Sequence, residues 1–246
     1  MSKHGKSDTR QVLRDYLVTD LKERPAYFNL QEISSHLRKA GIRVSPNTLK
    51  TYLSRFMAEG VIHGAGRGWY SRIPQPFVLD TAPIQKLISR LRQAFPFLDF
   101  SAWSTKQINP YTQHILNCFV CLVYADPDTL PAIAEELPGY GYLVEIDPGK
   151  SDAPIAAPPG EGRVVLRKTI KKQPPAIKNA APIEKILVDL WYESPKLNLM
   201  DPSEARIVIE NAVERGRVNM AALLGYAGER RQDFSWMKTI YQLRNK

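Results

Sequence analysis

SPNTLKTYLSRFMAEGVIHGAGRGWY, residues Ser45–Tyr70, is the stretch on which the reading of this chain turns. Ser45 is a helix N-cap residue, and Pro46 suits the first helical position, where a missing N–H costs nothing. At about 100° per residue, Leu49, Tyr52, Leu53, Phe56 and Met57 fall on one face. Asn47, Thr51, Ser54, Arg55 and Ala58 fall opposite, with Thr48 and Lys50 on the flanks. No acid interrupts the polar face until Glu59, and Gly60 ends the helix. Val61–His63 and Trp69–Ser71 then pair across Gly64–Gly68, whose glycines permit the positive φ of a tight hairpin and leave Arg67 at the tip.

Working outward, Val12, Leu13, Tyr16, Leu17 and Leu21 recur at helical spacing between Asp8 and Arg24, and Pro25 stops that helix. Tyr27-Phe28 reads as a short strand. Asn29 and Glu32 have the spacing of a capping box for a second helix, with Ile33, Leu37 and Ala40 inward and Gly41 as its stop. Helix, strand, helix, helix, hairpin is the order of a winged helix-turn-helix. In such a domain a helix face free of acids and bulky apolar groups suits the major groove. Asn47, Thr51, Ser54 and Arg55 are then expected at base edges or nearby backbone, and Thr48, Lys50, Arg67 and Arg72 at phosphates. The competing reading is a winged module that binds protein instead.

Charge weighs between the two. The chain has 246 residues and a net charge of +9. Residues 1–76 hold 13 Lys+Arg against 6 Asp+Glu, so +7 of that surplus lies in the first third. A concentrated surplus favours a polyanionic partner. No run reaches the roughly 18 apolar residues of a bilayer span, and the amino-terminal residues lack the apolar core of a secretory signal. Two cysteines in 246 residues form no disulfide framework, so the expected compartment is the reducing cytoplasm.

Pro74-Gln75-Pro76 marks the expected boundary between domains 1–76 and 77–246. In the second, Pro83–Phe95 reads as a helix burying Ile84, Leu87, Ile88 and Leu91. Phe97–Trp103, Cys118–Tyr124 and Tyr142–Ile146 read as strands, with a helix opening at Asp126 and a short one near Asn109–Leu116. Arg163–Lys172 reads as a further strand, carrying Arg163, Arg167, Lys168, Lys171 and Lys172. It is either a second phosphate-contacting surface or an edge strand guarded by charge. The sheet is expected to end near 172 and a helical tail to fill 182–244, giving a mixed α+β fold overall.

Catalytic signatures are missing. Cys118-x-x-Cys121 has no second Cys/His pair at metal-ligand spacing and reads as core. Glu145 and Asp147 share a strand face, as in some nucleases, but Pro148-Gly149 breaks the strand beyond them. Neither metal nor cofactor is expected, and the chain is not read as an enzyme. The alternatives are a nucleic-acid-processing enzyme targeted by the winged helix, or a regulator that senses a ligand in its second domain.

Three stretches of the second domain, Trp103–Asn109 (WSTKQIN), Pro182–Leu190 (PIEKILVDL) and Asn211–Arg231 (NAVERGRVNMAALLGYAGERR), resemble those of the AbiEi-type antitoxins of type IV toxin–antitoxin operons. Gln107 stands where those proteins carry an aromatic. The resemblance implies a bacterial transcriptional autorepressor and antitoxin, part of phage defence, that binds inverted repeats in its own promoter. It also implies a functional partner, a nucleotidyltransferase-like toxin that it need not touch. With no heptad seam in the sequence, a monomer or weak dimer that assembles co-operatively on DNA is expected.

Overall fold

The computed structural model describes residues 4–18, 26–113, 119–150 and 162–237. The chain forms two compact units of mixed α+β structure.

The first unit opens with α1 (His4–Val18), β1 (Tyr27–Asn29), α2 (Leu30–Lys39) and α3 (Pro46–Ala58), followed by the hairpin β2 (His63–Gly64) and β3 (Trp69–Ser71). The local signals act as their chemistry requires. Asn29 Oδ1 accepts from Gln31 N and Glu32 N while Glu32 Oε2 accepts from Asn29 N, a complete capping box. Ser45 Oγ accepts from Thr48 N at 3.1 Å to start α3. Leu13, Leu17, Phe28, Ile33, Leu37, Leu49, Leu53, Phe56 and Ile62 share one core. Met57 and Ala40, expected inward, are exposed, because Met57 sits in the last turn of α3 and Ala40 caps α2 just past its end, both beyond the packed surface. The strands form an antiparallel sheet of order β1-β3-β2, with Phe28 opposite Tyr70 and Gly64 opposite Tyr70 on its other side. Leu21 and Pro25 lie outside the described residues.

This unit also takes residues 213–224 and the described residues from 233 on, from the part of the chain that the sequence reading gave to the second domain. The buried Tyr27 hydroxyl lies 3.0 Å from the carbonyl oxygens of both Val213 and Gly216 and accepts from Val218 N at 2.9 Å. Pro74–Pro76 is no free linker. Arg217 N donates to Gln75 O at 2.8 Å, Phe77 N donates to Arg217 O at 2.9 Å, and the Arg217 guanidinium donates to the Ile73 and Pro74 carbonyls.

The second unit comprises 78–212 and 225–232. It contains α4 (Ala82–Ala94), β4 (Phe100–Ser104), β5 (Val120–Ala125), α5 (Leu130–Glu136), β6 (Tyr142–Ile146), β7 (Gly162–Lys168), α6 (Ile183–Leu197) and most of α7 (Pro202–Arg215). The last turns of α8 (Met220–Glu229) complete it. Its sheet has the order β4-β5-β7-β6, with β4 antiparallel to β5 and the other pairs parallel. One face, with Phe100, Ala102, Val123, Ala125, Val164 and Leu166, packs on α4 and α5. The opposite face carries Tyr124 and Arg167, register partners on β5 and β7, and receives α6. The short helix expected near Asn109–Leu116 is two 3₁₀ turns, Thr105–Gln107 and Asn109–Tyr111, and residues 114–118 fall outside the described residues.

Candidate nucleic-acid interface and a buried ion network

In the first unit, Asn47, Thr48, Lys50, Thr51, Ser54 and Arg55 are all exposed, on the side of α3 away from buried Leu49, Leu53 and Phe56. Thr51 Oγ1 donates to Asn47 O, which holds that side chain along the helix. Glu59, the acid that closes the helix, is met by Arg10 at 2.7 Å and Arg14 at 3.7 Å, so α1 neutralises it. Arg67 is exposed at the hairpin tip, between Gly66 (φ 98°) and Gly68 (φ 77°). The hairpin is braced from behind: a Cβ on Gly66 would meet Asn219 Oδ1 at 2.1 Å and Ala221 Cβ at 2.6 Å.

Arg72 departs from its expected role. It is 8% exposed. Its Nε donates to Leu17 O and its Nη2 to Tyr16 O, both at 2.9 Å, with the guanidinium 5.0 Å from the Phe28 ring centroid. The last carbonyls of a helix have no intrahelical donor, and α1 obtains one from Arg72 rather than leaving it to a phosphate. Arg38, Lys39 and Arg43, which the sequence reading passed over, are exposed at the end of α2 and in the turn before α3. Their signal was present as two cations in the last turn of one capped helix and a third before the next.

The 163–172 run is not one basic surface. β7 ends at Lys168 and lies inside the sheet, so the edge-strand reading does not hold either. Arg163 is paired with Glu145, and Arg167, 6% exposed, is paired with Glu193 and Asp147. Two charged side chains on an interior strand survive only with opposite charge beside them. Lys168, Lys171 and Lys172 are exposed, Lys171 and Lys172 in the turn that follows. Lys172 meets Glu229 at 2.9 Å.

Arg167 belongs to a network absent from the sequence reading. Lys185, Asp189 and Glu193 are spaced i, i+4, i+8 on α6 and are each 0% exposed. They face Tyr124 and Arg167 of the sheet and Tyr226 and Arg230, one turn apart at the end of α8. Lys185 Nζ donates to Asp189 Oδ2 at 2.5 Å and lies 3.3 Å from the Tyr124 ring centroid. Asp189 Oδ1 accepts from Tyr226 Oη at 2.7 Å and from Arg230 Nη2 at 2.6 Å. Glu193 accepts from Arg167 Nη2 at 2.7 Å and from Arg230 Nη2 at 3.3 Å. Two of the stretches that carry the AbiEi resemblance, 182–190 and 211–231, thus meet in one cluster. In the third, Gln107 is buried and satisfied: its Oε1 accepts from Ser104 N and its Nε2 donates to Asp80 O. An aromatic is not needed there, because Gln107 completes a capping box.

Burial sets the protonation of the network. It pushes the Lys185 ammonium down to about 8, against the upward pull of Asp189. It pushes the Tyr226 and Tyr124 hydroxyls up, and the neighbouring Asp189 carboxylate adds to both shifts.

Elsewhere, Glu145 and Asp147 do not share a strand face: β6 ends at Ile146, Asp147 is left-handed (φ 44°), and each carboxylate is held by an arginine. Cys121 is partly buried, its thiol pushed up to about 11 by burial, and Cys118 lies outside the described residues. Among the described residues, no group of three or more His, Cys, Asp or Glu side chains is placed to hold a metal ion. Nor is any helix among them long and apolar enough to cross a membrane.

An α+β chain with an exposed polar helix face in one unit and a buried ion network in the other is the class that these observations define. The chain belongs to a family of unknown function, DUF6577, which it matches over residues 48–246. That span begins inside α3, after Asn47, and takes in the rest of that helix, the hairpin and the whole network. No curated protein matches the chain.

Proposed function

We propose that this protein is a transcriptional regulator that binds duplex DNA through its first unit, used as a winged helix-turn-helix. The observation that carries the reading is the face of α3, where Asn47, Lys50, Thr51, Ser54 and Arg55 stand exposed with no unpaired acid among them. Asn47 and Arg55 have the amide and guanidinium forks that read adenine and guanine edges. Lys50, Thr48 and Arg67 hold phosphates, and Arg38 and Arg43 extend that phosphate track beside the start of α3. Arg72 plays no part in it.

The AbiEi resemblance supplies the biological setting: a cytoplasmic autorepressor and antitoxin that pairs on an inverted repeat upstream of its own operon. The test has two arms. In gel shifts, the duplex upstream of the coding frame is retained at lower protein concentration than a scrambled duplex, and Asn47→Ala removes that preference. In co-expression, the chain relieves growth arrest by a nucleotidyltransferase-like product of the adjacent gene. Equal retention of both duplexes sinks the DNA reading, and unrelieved arrest sinks the antitoxin reading.

A further inference from the structure

Beside the buried network lies a cleft of about 360 Å³ within the second unit, at the lower end of the range for small-molecule sites. Five cations line it, Arg167, Lys168, Lys196, Arg230 and Arg231, against the carboxylates of Asp147 and Glu229. Glu229 is already matched by Lys172.

Asp147 is a different case. Its carboxylate meets Arg167 Nη1 at 2.6 Å, yet its side chain is 65% exposed and its backbone is left-handed. The other edge of the same guanidinium is locked to Glu193, which is 0% exposed. Arg167 is therefore fixed by Glu193 and by the Pro148 carbonyl, which accepts from Nη1 at 2.9 Å, and is met from outside by an exposed oxyanion that another oxyanion can replace. Tyr192 offers no stacking platform for a base. Arg230 Cζ lies 3.9 Å and Lys196 Nζ 3.6 Å from its ring centroid, so the ring holds cations in place.

We propose that this cleft binds a small phosphorylated molecule. One phosphate takes the position of the Asp147 carboxylate on Arg167, and Lys168, Lys196 and Arg231 meet the remaining oxygens. A guanidinium already held by Glu193 and the Pro148 carbonyl is pre-organised to give a phosphate oxygen the charge-assisted Nη1 bond that Asp147 now takes. A cleft of this size takes one or two phosphate groups rather than a running nucleic-acid backbone.

The test is calorimetric titration of the full chain with sodium pyrophosphate at low ionic strength. Saturable binding at one site per chain is expected. Lys168→Ala combined with Lys196→Ala weakens it at least tenfold, and Asp147→Ala tightens it several-fold. Lys178→Ala, a cation outside the cleft, leaves it unchanged. The substituted side chains are exposed or half-buried, and an unchanged circular dichroism spectrum verifies folding. Absence of saturable binding overturns the proposal. So does equal weakening by Lys178→Ala, an Asp147→Ala chain that binds no tighter, or stronger competition by a single-stranded oligonucleotide than by pyrophosphate at equal phosphate.

Discussion

Lys185 Nζ and Asp189 Oδ2 are 2.5 Å apart on successive turns of α6, and neither residue has any exposed surface. The pair does not stand alone. Asp189 also receives Arg230 and Tyr226, and Glu193 receives Arg167 and Arg230. Three buried cations are thus set against only two buried carboxylates, the third counter-charge being the exposed Asp147 at the rim.

That imbalance gives an asymmetric mutational response. Asp189→Ala leaves Lys185 and Arg230 facing each other with Glu193 as their one buried counter-charge. The expected loss is roughly 3–5 kcal/mol, as for a buried pair robbed of one partner. Lys185→Met removes the surplus buried cation and keeps the stem's packing, so Asp189 retains Arg230 and Tyr226. It should cost under about 2 kcal/mol. Chemical denaturation of both variants checks this, and equal losses would show that the balance of charge is not what holds the cluster.

Stability should rise and then fall across alkaline pH. The folded-state pKa of Lys185 is depressed to about 8 from its ordinary 10.5, so the unfolded chain holds the extra proton between these values and stability increases with pH there. Tyr124 and Tyr226 are raised from 10.0, so above about pH 10 the unfolded chain loses protons that the folded chain keeps, and stability falls. Thermal melts from pH 7 to 11 should show the rise between about pH 8 and 10 in the native chain and lack it in Lys185→Met. The same profile in both would remove Lys185 as its source.

Arg72→Ala should act on stability and not on DNA. It removes buried, charge-assisted bonds to the Tyr16 and Leu17 carbonyls, worth about 1.5–3 kcal/mol each before compensation by water. The melting temperature is expected to drop by several degrees, while the dependence of DNA affinity on salt keeps its slope. A slope lowered by about one unit, as for a lost phosphate contact, would return Arg72 to the interface.

Gly66→Ala should disturb the hairpin. The position combines positive φ with a neighbour at 2.6 Å that is a short, fixed side chain, Ala221 Cβ. Destabilisation above 1 kcal/mol is expected, together with weaker retention of DNA as Arg67 moves. A variant as stable as the native chain would mean that the segment from Asn219 does not brace the hairpin.

What could be read in advance was what is local. The Asn29–Glu32 capping box, the Ile84–Leu91 stripe and the β6 bounds follow from residues within a few positions of one another, and the structure has them. Arg72 was misread because its partners are the end carbonyls of a helix 55 residues away. The bracing of the first unit by Tyr27 and residues 213–218 was invisible for the same reason. The ion network on α6 went unseen for a different reason. Periodicity treats charges such as Lys185, Asp189 and Glu193 as a solvated face, whereas here that face is buried against protein. The usable signal was a charge stripe at i, i+4, i+8 on a helix whose other positions are apolar nearly all the way round.

The central claim is that α3 reads duplex DNA. It is tested most directly by fluorescence anisotropy of the upstream duplex and of a scrambled duplex, across a salt series, with native chain and Arg55→Ala. The account predicts that native affinity for both duplexes falls steeply with salt. It also predicts that Arg55→Ala costs roughly 1–3 kcal/mol on the upstream duplex and much less on the scrambled one. A flat salt response, or an Arg55→Ala chain that loses the same on both duplexes, would contradict it.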